Sequence, residues 1–171
     1  MMNGINSAKY MEPKRSIYRE YSRTYDEDRQ RFVPDDALFQ CTRWALEHLE
    51  PGHNLLDLGC GSGELLLEAY RQTAGTGVLA GLDLSPQMLS QTRVQTGNVA
   101  SLIQSNSLGG LPFGDGSFNL VTSPNLHQEL PTQTIPPLLE QVLHVLRPGG
   151  CFRAVIPCMA DRRPSFQAFQ E

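Results

Sequence analysis

Along the chain, short apolar runs of strand length alternate with apolar residues spaced three or four apart, the spacing of one helix face. The segment "SIYREYSRTYDEDRQRF", from Ser16, carries tyrosines at 18, 21 and 25 and predicts a helix, and residues 1 to 14 read as mobile. Asp35 or Asp36 caps a second helix with an apolar face of Leu38, Cys41 or Thr42, Ala45, Leu46 and Leu49, and Pro51-Gly52 ends it. "NLLDLG" is a buried strand, and "SGELLLEAYRQ" is a helix with Leu65, Leu66, Ala69 and Tyr70 turned inward. A second strand, "VLAGLDL", meets Ser85-Pro86, a capping serine followed by proline at the first helical position. "PQMLSQTRVQ" is the helix so begun, and "VASLIQ" the third strand. The loop "LPFGDGSF" leads into the fourth strand, "NLVTS". "IPPLLEQVLHVL", apolar at 138, 139, 142, 145 and 146, is a helix closed by Pro148-Gly149-Gly150, and "CFRAVIP" is a fifth strand.

Strands separated by helices imply right-handed parallel crossovers, hence an α/β fold with a doubly wound parallel sheet. The 171 residues, 40% of them hydrophobic, suffice for one well-cored domain and are too few for two ordinary ones. A net charge of -4 offers no broad basic face for nucleic acid, and the seven Lys/Arg and five Asp/Glu of residues 9 to 31 read as a solvated helix face. Cysteines at 41, 60, 151 and 158 have no CxxC spacing, and the first thirty residues hold no apolar signal segment. The expectation is a cytoplasmic protein with reduced thiols and no association with membrane.

In such a sheet a ligand binds beyond the carboxyl ends of the strands, where strand order reverses. Gly59, Gly61 and Gly63 stand there, between the first strand and its helix, letting backbone approach a ligand closely. A dinucleotide fingerprint starting at Gly59 needs glycine at position 64, which is Glu64, a carboxylate that would face a pyrophosphate. Asp57, two residues before the first glycine, suits a cationic amine. Asp83 closes the second strand 20 residues after Gly63, where an acid accepts hydrogen bonds from a ribose diol. The pattern asks for a ligand with an amine and a ribose.

Together "LLDLGCGSG", "LAGLDLSPQML", "LPFGDGSFNLV" and "VLHVLRPGG" resemble the class I S-adenosylmethionine-dependent methyltransferases of the small-molecule, type 11 branch, over roughly residues 16 to 157. The resemblance implies a Rossmann-like sheet of strand order 3-2-1-4-5. It implies S-adenosyl-L-methionine as cofactor, with S-adenosyl-L-homocysteine as product. Asp57 and the backbone of Gly59, Cys60, Gly61 and Gly63 would hold the methionine end, Asp83 the ribose, and Leu84 and Met88 the adenine. Ser107, beside Leu108, stands where many relatives carry an acid that reads the adenine amino group, and Asn119 replaces the Asp of the family's "FDLV". Residues 1–34 look like the lid segment, whose tyrosine, Tyr25 or Tyr21, meets the methionine carboxylate. Residues 35–171 would be the cofactor-binding domain.

The cofactor sulfonium is already activated, so positioning of the acceptor and exclusion of water supply much of the rate. His127, just after the fourth strand where relatives often carry "LHH", is the candidate general base, with Glu129 a lesser one. His48, His53 and His144 fall away from the expected cleft, and no cluster has metal-ligand spacing, so no metal is expected. Relatives continue past the fifth strand into an antiparallel pair that this sequence lacks. Strand 151–157 is therefore expected to be an open apolar edge, suited to a homodimer or a partner subunit. Two functions compete: a methyltransferase acting on a small organic acceptor at O, N or C, and a non-catalytic or partner-dependent cofactor-binding module.

Overall fold

The computed structural model describes residues 7–32, 35–124 and 126–155. Three helices lead in: α1 (Ser7–Tyr21), α2 (Tyr25–Phe32) and α3 (Asp35–Ala45). β1 (Leu55–Leu58), α4 (Glu64–Gln72), β2 (Leu79–Asp83), α5 (Pro86–Thr96) and β3 (Ser101–Gln104) follow as two crossover units. A loop without a helix leads to β4 (Phe118–Pro124). Two short 3-10 turns, His127–Glu129 and Thr132–Thr134, precede α6 (Ile135–Val145) and β5 (Leu146–Val155).

The five strands pair in parallel in the order β3-β2-β1-β4-β5, the expected topology. Because both faces of a parallel sheet are covered, the central strands are mostly apolar, and Leu55, Leu56 and Leu58 are fully buried. One face packs Leu56, Leu58, Ala80, Leu82 and Val121 against Leu138, Val142 and Val145 of α6. The other packs Leu55, Leu79 and Leu120 against Leu46 and Leu49 beyond α3, Leu66 and Ala69 of α4 and Leu89 of α5. The side-chain amide of Gln72 donates to the carbonyls of Leu46 (2.9 Å) and Leu49 (2.7 Å), serving carbonyls left over just after α3. Ser85 caps α5 as its sequence suggests, its hydroxyl accepting from the Met88 amide at 3.2 Å.

Five local expectations change. The helix expected to run to Pro51-Gly52 ends as α3 at Ala45, so Leu46 and Leu49 follow it in a turn and an irregular stretch. Residues 7–14, read as mobile, belong to α1. The single tyrosine-bearing helix is two, because the chain tightens at Ser22–Thr24: Arg23 and Thr24 donate to the carbonyls of Glu20 and Tyr21, three residues back. Asp26, Glu27 and Asp28 in the first turn of α2 favour a fresh helix start there. Tyr70, expected inward, is exposed and closes over Gly75. Pro148-Gly149-Gly150 does not separate α6 from β5: pairing with β4 begins at Leu146 and resumes at Cys151, and the four residues between form an irregularity. Gly149 there takes a positive φ of 79°.

Phe152 on β5 packs against the α6-side core, so its side chain does not face outward. On the opposite face Arg153 joins β5 to the α3 region, 3.0 Å from Glu47 and with its guanidinium 4.4 Å above the Trp44 ring. Ile156 and Pro157 of the expected fifth strand lie outside the described residues.

Candidate cofactor site

The register sets the site. Asp57 of β1 stands opposite Gly81 of β2 on one side and Thr122 of β4 on the other, one residue before the strand ends. Its side chain is only 1% exposed. Oδ1 accepts the Thr122 hydroxyl at 2.9 Å, while Oδ2 is buried with no protein partner. Burial pushes the Asp57 pKa up to about 7, with the Thr122 hydrogen bond opposing and the Asp83 charge adding to the rise. An orphaned carboxylate oxygen here is the group a cationic amine would satisfy.

The glycine turn runs out from β1. Gly59, Gly61 and Gly63 have φ of 76°, 53° and 92°, a left-handed sequence that side-chain-bearing residues resist. The amides of Gly59 and Cys60 donate to the Leu82 carbonyl at 2.7 and 3.1 Å, and the Gly61 amide donates to Asp83 Oδ2 at 3.0 Å. The three glycines face different neighbours. A Cβ on Gly59 would lie 3.3 Å from Leu126, and one on Gly61 would lie 3.5 Å from Met88 and about 4 Å from the Tyr25 hydroxyl. One on Gly63 would be 2.5 Å from Thr92, so that glycine serves the packing of α4 on α5. Cys60 is buried and its thiol pKa is raised by burial, which leaves it a small packing residue rather than a nucleophile.

Asp83 ends β2 with both oxygens engaged by backbone, Oδ2 with Gly61 and Oδ1 with the Ser85 amide at 2.8 Å. Burial raises its pKa and these amides lower it. Two lone pairs remain for a diol. Leu84 and Leu108 both pack on the α6-side core, Met88 is almost fully buried, and Ser107 is buried in a turn closed by Asn106 Oδ1 accepting from the Leu108 amide at 3.0 Å. Asn119 lies at the other end of the sheet. Its Oδ1 accepts from the Asn54 amide at 2.9 Å and from Arg147 at 3.2 Å, work a neutral amide performs in place of the usual acid.

Above the turn sits the N-terminal segment. Of the two candidate tyrosines, Tyr25 is the one whose ring reaches Gly61, and Tyr21 stacks edge-on behind it at 5.5 Å. Gln91 of α5 donates to the Ser22 carbonyl, and Lys14 pairs with Glu129 at 2.5 Å, joining α1 to the turn after β4. Tyr18, part of the tyrosine series in the sequence, was not among the candidate ligand contacts. Its ring lies 6.1 Å from that of Tyr21, and burial, with the nearby Glu129, raises its pKa. Its spacing of four from Lys14 was a signal for one shared helix face.

His127 occupies the 3-10 turn after β4. Its Nε2 is buried without a partner, its ring meets Phe152 at 5.9 Å, and burial lowers its pKa. His53 instead accepts from the Glu50 amide at 3.3 Å in the turn before β1. Thr122 was also missed, although a hydroxyl inside an apolar strand was visible. Its partnership with Asp57 depends on β1–β4 register. Among the described residues, no group of three His, Cys, Asp or Glu could hold a metal, and no helix is long and apolar enough to cross a membrane.

This arrangement fits S-adenosylmethionine: a buried acid with a spare oxygen for the amine, a glycine turn and an acid at the next strand end for the ribose. Comparison with known proteins agrees. A family model described as a methyltransferase domain matches residues 55–150, more than half of the chain. An uncharacterised methyltransferase of Synechocystis sp. is 38% identical over 109 residues, covering 63% of this chain and 48% of the relative. A demethylmenaquinone methyltransferase of Symbiobacterium thermophilum is 36% identical over 112 residues, covering 63% and 44%. The chain thus spans about half the length of these relatives. Among solved structures, the DhpI-SAM-HEP complex superimposes with a TM-score of 0.70 over 95% of this chain and 72% of that one, at 19% identity, which speaks for the fold.

Proposed function

The chain belongs to the class I S-adenosylmethionine-dependent methyltransferases, and from that premise we propose that it methylates a small organic acceptor at O, N or C. The observation that carries the reading is the buried, unpartnered Asp57 Oδ2 beside a left-handed glycine turn, with Asp83 fixed on the adjoining strand. When bound, the cofactor supplies a sulfonium-activated methyl group. Asp57 pairs with the amine, Gly59 to Gly63 let the backbone pass close to the methionine portion, and Asp83 accepts from the ribose hydroxyls. Leu84, Met88, Ser107 and Leu108 form the adenine wall, and Tyr25 closes over the methionine end.

Residues 1–34 act as a lid on the domain formed by residues 35–171. Lys14–Glu129 and Gln91–Ser22 hold it down and keep water from the reacting centre. His127 takes the proton released by an O or N acceptor: burial lowers its pKa, so the imidazole is neutral near pH 7, and Nε2 is unengaged. The relative named for demethylmenaquinone makes a naphthoquinol the first compound to try.

The test is transfer of labelled methyl from S-adenosylmethionine to a panel of small acceptors that includes a 1,4-naphthoquinol, assayed on the purified chain. Formation of a methylated product with stoichiometric S-adenosylhomocysteine is expected. Tight cofactor binding with no product from any acceptor would favour the non-catalytic module instead.

A further inference from the structure

A second-row residue on α5 holds the glycine turn in place. Thr92 is fully buried, and its Oγ1 lies 2.6 Å from the Gly61 carbonyl and 3.0 Å from the Met88 carbonyl one helical turn back. A threonine in mid-helix ordinarily returns its hydroxyl to its own helix, as Thr96 does by donating to the Thr92 carbonyl at 2.7 Å. Here the shorter contact is the one to the loop.

The consequence reaches the ribose acid. The Gly61 amide donates to Asp83 Oδ2, so the peptide groups flanking Gly61 are fixed from both sides, by Asp83 at the N–H and by Thr92 at the C=O. The methyl group of Thr92 fills the space where a Gly63 side chain would stand, at 2.5 Å from a Cβ built there. One side chain therefore meets two positions of the turn, Gly61 by hydrogen bond and Gly63 by packing.

Resting on the cofactor-binding reading above, we infer that Thr92 is a positioning residue for S-adenosylmethionine: its hydroxyl sets the Gly61 peptide, and through it the orientation of Asp83 toward the ribose. Thr92 itself touches no ligand. The hydroxyl and methyl roles separate by substitution. Thr92→Val keeps the shape and removes the hydroxyl, leaving the Gly61 carbonyl without its side-chain partner, and Thr92→Ser keeps the hydroxyl and removes the contact with Gly63.

The experiment is calorimetric titration of S-adenosylhomocysteine into wild type, Thr92→Val, Thr92→Ser and Thr96→Val, with a melting curve for each. Thr92→Val is expected to weaken binding by about threefold to tenfold, the loss of one neutral hydrogen bond. Thr92→Ser should bind within about twofold of wild type while melting earlier, and Thr96→Val, the same change one turn further along α5, should bind like wild type. Equal affinity in Thr92→Val and wild type overturns the inference and leaves the cofactor site standing. Equal weakening by Thr92→Val and Thr96→Val also overturns it, because the effect would then be general softening of the helix. Absence of binding by the wild type would remove the cofactor site and this inference together.

Discussion

Asp57 sets stability against binding. Held in a dry strand with one hydroxyl partner, its carboxyl has a pKa of about 7 where an exposed aspartate has 3.8. Because the folded value lies above the unfolded one, the native state holds the proton more tightly. Asp57's favourable contribution is complete below about pH 4 and is lost as pH rises through about 7. Asp57→Asn keeps the shape and can still accept from Thr122. The variant should therefore melt above wild type at pH 8, with the gap closing toward pH 4, and should lose affinity for S-adenosylhomocysteine. Calorimetric melting at both pH values checks this, and a lower melting temperature for the variant at pH 8 would mean that the charge is compensated in the folded protein. The two acids and the glycines were legible because their spacing along the chain carries the chemistry. Thr122 and Thr92 were not, because each meets its partner across the fold, 65 residues away for Thr122–Asp57 and 31 for Thr92–Gly61.

At the scale of elements, the turn after β4 holds His127 with a buried, unpartnered ring nitrogen and Glu129 paired to Lys14 of α1. If His127 is the base, His127→Ala should lower kcat by about 10²- to 10⁴-fold for an O or N acceptor and leave cofactor affinity unchanged. Since burial depresses its pKa, the acid limb of the wild-type kcat profile should fall below the ordinary histidine value of 6.5, and the variant should lack that limb. An unaltered kcat would make His127 a packing partner of Phe152. Sequence periodicity located α3 to α6 and the buried strands β1, β2 and β4, while α3 ends and β5 begins earlier than the periodicity suggests. It merged α1 with α2 because the tyrosine spacing runs across the tightened turn at Ser22–Thr24, where capping chemistry rather than periodicity decides.

At the scale of the whole molecule, β3 and β5 are the outer strands of the sheet among the described residues, and neither contains a fully buried residue. An unpaired parallel edge invites another strand, and two β5 edges related by a two-fold axis could pair. We predict concentration-dependent self-association in sedimentation experiments, weakened by Val155→Lys. Lysine at Phe152 is the wrong probe, because that side chain belongs to the core. A monodisperse monomer at high concentration would show that β5 is not an association surface. The strand order itself came from motif resemblance. Hydrophobic periodicity argues for parallel crossovers but does not say on which side of β1 the fourth strand returns. The account as a whole stands on cofactor bound at the carboxyl ends of β1 and β2, and calorimetric titration of S-adenosylhomocysteine into wild type and Asp83→Ala tests this most directly. One site on the wild type, weakened by about 1.5 to 3 kcal/mol in the variant through loss of charged hydrogen bonds, is the predicted result. Equal affinity in the two proteins would contradict the account.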